Sequence, residues 1–152
     1  IDDYRIIHGK YRYGDSNIEQ AAAANAVAAL HSLLKRPLKM RLYLLVGLPC
    51  SGKSHWAKNA YLKADRDPVI FDATNLKADY RSVLVNELNS KFDDLPMSCV
   101  YFDTDMQLIS ERNYNRADKQ MTDEDLLMRK VELEEPDIYV ERWMQELIVV
   151  RS

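Results

Sequence analysis

Two hydrophobic patterns alternate along the chain. Short apolar runs of strand length occur at residues 41–46 (Arg41-Leu42-Tyr43-Leu44-Leu45-Val46), 68–71, 97–102 and 146–150. Runs this short, rich in Val, Ile, Leu, Phe and Tyr, predict buried strands. Between and before them lie stretches with helical spacing. Residues 15–35 carry an alanine-rich run with Val27, Leu30 and Leu34 as an apolar stripe, closed by Pro37. Residues 53–63 place Trp56, Ala57, Ala60 and Tyr61 at helical intervals, and residues 77–91 do the same with Tyr80, Val83, Leu84 and Leu88. A further helix is expected from Thr104 or Asp105 through Leu108 and Ile109 toward Arg116. Another runs from Thr122, paired with Asp125 as a cap, to about residue 134. Trp56 and Trp143 are expected in the core, and residues 117–121 are the connection expected to move most. Strands alternating with helices predict a parallel sheet covered on both faces.

Composition narrows this picture without redirecting it. The 152 residues are 47% hydrophobic and 30% charged, ordinary values for one globular domain spanning 1–152. No apolar run approaches the ~20 residues a membrane helix needs, so no membrane association is expected. Two cysteines, Cys50 and Cys99, are too few for a disulfide framework, which favours a reducing cytoplasm. A net charge of −3 argues against a blanket basic surface for duplex nucleic acid, while leaving room for a local basic site. His8, His31 and His55 have no metal-ligand spacing.

The chemistry concentrates at Gly47-Leu48-Pro49-Cys50-Ser51-Gly52-Lys53-Ser54, which fits G-x-x-x-x-G-K-[ST] between a predicted strand and a predicted helix. Backbone N–H groups of such a loop can turn inward on an anion, and the helix start adds partial positive charge. Gly47 and Gly52 allow backbone angles that a side chain resists. Lys53 is placed to reach the β- and γ-phosphates of a nucleotide, and Ser54 to hold Mg²⁺ through its hydroxyl. Cys50 sits at a variable position of the loop and reads as a spacer.

Ligands of an open parallel sheet bind at the carboxyl ends of its strands. Asp72, directly after the second run, and Asp103, after the third, fall there. A carboxylate at that place can hold Mg²⁺ or orient a substrate hydroxyl; the same Asp72-Ala73-Thr74-Asn75 sequence also suits an Asx-turn or a helix cap. Arg112 and Arg116 are four apart, hence on one helical face, and can stabilise γ-phosphate charge from a lid or belong to a solvated charged surface. Asp2-Asp3-Tyr4-Arg5 can set a base and a phosphate ligand on one turn, or simply belong to a frayed terminus.

Together these motifs resemble the polynucleotide 5′-hydroxyl kinase group of P-loop phosphotransferases, the end-healing kinases. The resemblance rests on the phosphate loop, on Val69-Ile70-Phe71-Asp72-Ala73-Thr74-Asn75-Leu76, on Glu111-Arg112-Asn113-Tyr114-Asn115-Arg116, and on Asp2-Asp3-Tyr4-Arg5 followed by Gly9-Lys10-Tyr11-Arg12-Tyr13. Glu134-Glu135-Pro136 and the closing strand also fit, so the likeness covers most of the chain. It implies a P-loop kinase-like, three-layer αβα domain with a mostly parallel sheet of four to five strands and a small helical lid at about residues 106–134. It further implies ATP and Mg²⁺ as cofactors. Gly47, Pro49, Cys50, Ser51, Gly52, Lys53 and Ser54 would hold the ATP phosphates, with Arg112 and Arg116 added from the lid. Lys53 and Arg116 would act on the transferred phosphoryl group, and Asp2 would accept the proton of the attacking hydroxyl. Arg5, Asp72 and Asn75 would contact the acceptor, and Ser54 and Asp72 would support the metal.

One departure stands out. In that family the Asp-x-x-Arg segment follows the phosphate-loop helix and a second strand, whereas here it precedes the loop. Either the segment has been relocated, or the numbered chain starts inside an element. The implied activity is transfer of the γ-phosphate of ATP to a 5′-hydroxyl end of RNA or DNA, with room for a partner repair domain or subunit. A small-molecule kinase and a nucleotide-binding switch remain the alternatives.

Overall fold

A computed structural model describes residues 6–7, 10–11, 16–36, 39–60 and 66–152. The elements run β1 (Ile6–Ile7), β2 (Lys10–Tyr11), α1 (Ser16–Leu34), β3 (Met40–Val46), α2 (Lys53–Asn59), β4 (Asp67–Phe71), α3 (Ala78–Lys91), β5 (Met97–Asp103), α4 (Met106–Tyr114), α5 (Asp123–Glu132) and β6 (Glu146–Arg151). The last four strands along the chain, β3 to β6, make one parallel sheet in the order β4-β3-β5-β6. The fold is therefore α/β with a parallel sheet of four strands among the described residues, the lower of the two strand numbers expected. β1 and β2 pair antiparallel as a separate two-stranded unit, which the apolar pattern gave no reason to expect.

Side-chain alternation assigns the two faces. Met40, Leu42 and Leu44 of β3, Val69 and Phe71 of β4, and Met97 of β5 pack on Ala26, Leu30 and Leu34 of α1 and on Leu84, Val85 and Leu88 of α3. The opposite face presents Tyr43, Leu45, Val100 and Phe102, with Trp56 and Ala57 of α2 packed against them. Register agrees: Leu42 lies beside Val69 and Met97, Leu44 beside Phe71 and Cys99. β3 and β5 are buried along almost their whole length, as expected for a parallel sheet covered on both sides. Trp56 and Trp143 are both half-buried and packed against these clusters.

Two expectations change in detail. The helix after the phosphate loop ends at Asn59, where Ala60 turns extended and the Asn59 amide bonds the His55 carbonyl at 2.7 Å; such local side-chain bonding competes with helix continuation. Tyr61 and Lys63 lie outside the described residues. On α3 the buried face is Arg81, Leu84, Val85 and Leu88, while Tyr80 and Val83 are each 67% exposed. Apolar residues sit on two sides of α3, and spacing alone picked the wrong pair. Thr122 does cap α5, accepting from Asp125 N at 3.1 Å, and Asp105 caps α4, accepting from Gln107 N at 2.7 Å.

A smaller apolar cluster of Leu48, Leu76, Ile109, Met121 and Leu126 ties α4 and α5 to the loop end of the sheet. Among the described residues, no helix is long and apolar enough to cross a membrane.

Candidate active site

The loop between β3 and α2 is shaped by close approach. A side-chain carbon on Gly47 would stand 2.9 Å from Phe102 Cβ and 3.0 Å from Ser51 Oγ. Only glycine lets the end of β3 lie this near the end of β5. Gly52 opens α2 with φ of 100°, and Cys50 also has positive φ, 62°. Gly47 N bonds the Thr74 carbonyl at 3.0 Å, and Thr104 Oγ1 bonds the Ser51 carbonyl at 3.2 Å. The loop is thus fastened to the turn after β4 and to the chain after β5.

Inside this frame Lys53 is 7% exposed. Its ammonium donates to the carbonyls of Gly47 at 2.9 Å and Leu48 at 2.6 Å. A buried cation requires such partners, because an unpaired ammonium away from water is costly. α4 and the turn after it bring two more cations to the same loop. Arg112 Nη1 donates to the Cys50 carbonyl at 3.2 Å, and Arg116 Nη1 lies 3.4 Å from Cys50 Sγ and donates to the Lys119 carbonyl. Cys50 is therefore where the loop meets Arg112 and Arg116, a more definite place than a spacer. Its thiol is free, as is that of buried Cys99, which burial pushes up to about 12.

In the first turn of α2, Ser54 Oγ donates to Asp72 Oδ2 at 2.6 Å. These are hard oxygen donors beside a phosphate loop, a set that suits Mg²⁺ when nucleotide phosphates and water complete an octahedron. Ser54 and Asp72 would hold the ion, which when bound would neutralise charge on the phosphates.

The Asp72 turn itself is heavily tied. Asn75 adopts φ of 48° and donates its side-chain amide to the Leu45 carbonyl at 2.7 Å. That bond makes Asn75 a clamp between the turn and β3, so its amide nitrogen is already engaged. Asp103, at the end of β5, turns to Arg151 at 3.6 Å. Asp2 and Arg5 lie outside the described residues.

Sequence reasoning passed over two residues that organise this region. Asn113, 5% exposed, donates from Nδ2 to the Met121 carbonyl at 2.8 Å and accepts from Met121 N at 3.0 Å, closing the loop between α4 and α5. Arg81 is fully buried and forms a forked pair with Glu141. Its signal was present: position 81 falls on the same helical face as Leu84, Val85 and Leu88.

Phosphate loop, Asp72 carboxylate and the two arginines thus converge at the carboxyl ends of adjacent strands, the place where open parallel sheets bind ligands. Comparison with curated proteins finds no match. Residues 59–134, from the end of α2 to just beyond α5, match the model of the AAA_33 family, described as an AAA domain. The phosphate loop precedes that stretch, so loop and match support the assignment independently. With half of its length inside the match, the chain belongs to this AAA domain family, a P-loop NTPase-like kinase group.

Proposed function

We propose that the protein transfers the γ-phosphoryl group of ATP to a 5′-hydroxyl end of RNA or DNA. The observation that carries the phosphotransfer part is the convergence of Lys53, Arg112 and Arg116 on the loop that ends at Ser54, itself paired with Asp72. Cations and an oxygen pair gathered at one loop suit a nucleotide whose terminal phosphate is to be moved. The polynucleotide part is supported by the likeness of the Asp72–Leu76 and Arg112–Arg116 segments to end-healing kinases.

In this reading the acceptor hydroxyl oxygen bonds to the γ-phosphorus while the bond to the bridging oxygen breaks, and ADP leaves. Asp2 takes the hydroxyl proton, and Arg5 and Asp72 orient the acceptor. Lys53 and Arg116 stabilise charge on the moving group, with Arg112 helping on the phosphates. Mg²⁺ is held by Ser54 and Asp72. Residues 1–152 act as one domain in the cytoplasm, with residues 106–134 as the lid, alone or beside a repair domain or subunit.

The test is transfer of labelled γ-phosphate to a 5′-hydroxyl oligonucleotide with Mg²⁺, comparing wild type with Lys53→Ala and Asp2→Asn. The expected result is transfer by wild type alone. Binding of ATP without transfer to any polynucleotide would overturn the acceptor assignment, and small alcohols would then be tried as acceptors. A switch without phosphotransfer would tolerate Asp2→Asn unchanged.

A further inference from the structure

The ion pair of Arg81 and Glu141 is the most deeply buried charge pair among the described residues, with side chains 0% and 6% exposed. A buried ion pair is weak evidence of stabilisation. Apolar residues of similar volume in place of a buried ion pair are often neutral or stabilising by about 1–4 kcal/mol. The guanidinium does something else with its remaining edge. Nη1 donates to the Asn75 carbonyl at 2.8 Å and to the Leu76 carbonyl at 2.9 Å. Nε and Nη2 hold Glu141, whose Oε2 also receives Trp143 Nε1 at 3.2 Å. Glu141 is fixed in turn by its backbone N–H on the Asp137 carbonyl at 2.7 Å.

The carbonyls that Arg81 takes belong to the turn that starts at Asp72. That turn includes a non-glycine residue at positive φ, Asn75. Conformations of this kind persist where surrounding contacts over-determine them. Thr74 is bonded by Gly47, Asn75 by way of Leu45, and Leu76 by Glu134 N at 2.9 Å. Arg81 is the one side chain in this set that binds two consecutive carbonyls at once. A planar fork can do this while gripping a carboxylate; a lysine ammonium cannot reproduce the geometry.

We infer that Arg81, held by Glu141, is a positioning residue that fixes the Asp72–Leu76 turn and thereby the Asp72 carboxylate beside Ser54. The inference rests on the reading of Ser54 and Asp72 as the metal-supporting pair. It assigns to α3 and to residues 137–143 a part in the site.

The experiment replaces the pair together, Arg81→Met with Glu141→Leu, in the full chain. Three quantities are read: amide exchange at residues 73–76 without nucleotide, ATP affinity in EDTA and in Mg²⁺, and kcat and KM for phosphoryl transfer. The expected result is a folded protein whose amides at 73–76 exchange about tenfold faster or more, against unchanged protection in β3. ATP affinity in EDTA stays within about threefold, while the gain on adding Mg²⁺ and kcat fall by about tenfold to hundredfold, as when groups that orient a metal ligand are lost. Arg81→Lys lies between the double variant and wild type in both the Mg²⁺ gain and exchange. Should the double variant fail to fold, Glu141→Gln carries the same measurements, with the same direction expected. A folded variant with wild-type exchange at 73–76 and an undiminished Mg²⁺ gain overturns the inference. Loss of ATP binding in EDTA to the same extent also overturns it, since that marks a general structural role. Wild type that transfers no phosphate refutes the proposed function, and the exchange and Mg²⁺ readings still decide the role of Arg81.

Discussion

Replacing Lys53 with methionine separates what the lysine does for the fold from what it does for a nucleotide. The ammonium is almost buried and donates to two loop carbonyls, at 2.9 and 2.6 Å. Hydrogen bonds to a charged group contribute about 1.5–3 kcal/mol each, so losing two costs about 3–6 kcal/mol. Against this, methionine removes the desolvation of a buried cation, itself several kcal/mol. The two terms nearly cancel, leaving a net change within about 2 kcal/mol of zero. For a chain of this size that is a shift of the thermal midpoint within about 8 °C, in either direction. Phosphoryl transfer is different, because in the proposed reaction the ammonium shares the moving charge with Arg116 and methionine removes its share. Removal of one preorganised donor from such a site costs about hundredfold to thousandfold in kcat, or about 2.7–4 kcal/mol. The assays are thermal melting without nucleotide and labelled-phosphate transfer at saturating ATP. A midpoint lowered by more than about 12 °C would show that the loop carbonyls depend on the ammonium for folding, and the cancellation argument would fail. Undiminished transfer would show that the ammonium does not reach the phosphates.

Three further outcomes are expected. Gly47→Ala forces a carbon to 2.9 Å from Phe102 Cβ, an overpacking of about 1–3 kcal/mol, and melting should register a fall of about 3–10 °C together with weaker ATP binding. Asn113→Ala leaves the buried Met121 N–H and carbonyl without their partner, at about 2 kcal/mol, and limited proteolysis should cut faster between residues 115 and 121. Alkaline pH should destabilise the fold, because the buried Cys99 thiol keeps its proton up to about 12 while the unfolded chain releases it near its ordinary 9.0. Above that lower value the unfolded state binds fewer protons, so stability falls by about 1.4 kcal/mol per pH unit until the folded thiol titrates. Tyr101, raised to about 12 by burial and by Glu135 and Asp103, adds in the same direction from its ordinary 10.0. Melting of wild type and Cys99→Val between about pH 8 and 10 checks this, with the variant losing most of the slope.

What the sequence made legible is what local rules encode. The phosphate loop is contiguous, its glycines are demanded by near approach and positive φ, and its flanking strand and helix follow from short-range pattern. The strands at 40–46 and 97–103 were plain because a parallel sheet buried on both faces leaves unbroken apolar runs. Tyr80 and Val83 were misassigned because α3 carries apolar residues on two sides, and only packing decides which side meets the sheet. Arg81 escaped notice because its partner lies 60 positions away on a segment without regular structure. Asn113 sat inside a noticed motif, yet its bond to Met121 depends on a loop closure that spacing does not encode. The convergence of Arg112 and Arg116 on Cys50 could be guessed as a direction but not as a contact.

The strand that leads into the phosphate loop is an interior strand, hydrogen-bonded to β4 on one side and β5 on the other. Its loop is then tied to Thr74 beyond β4 and to Thr104 beyond β5. Neither neighbour is adjacent to the loop in sequence, and non-local parallel pairing is slow to form. During refolding, a cradle for phosphate can therefore arise only after chain segments on both sides have docked. Recovery of nucleotide binding should trail the recovery of helix signal and coincide with completion of the sheet, which makes the ligand a late-stage reporter of assembly.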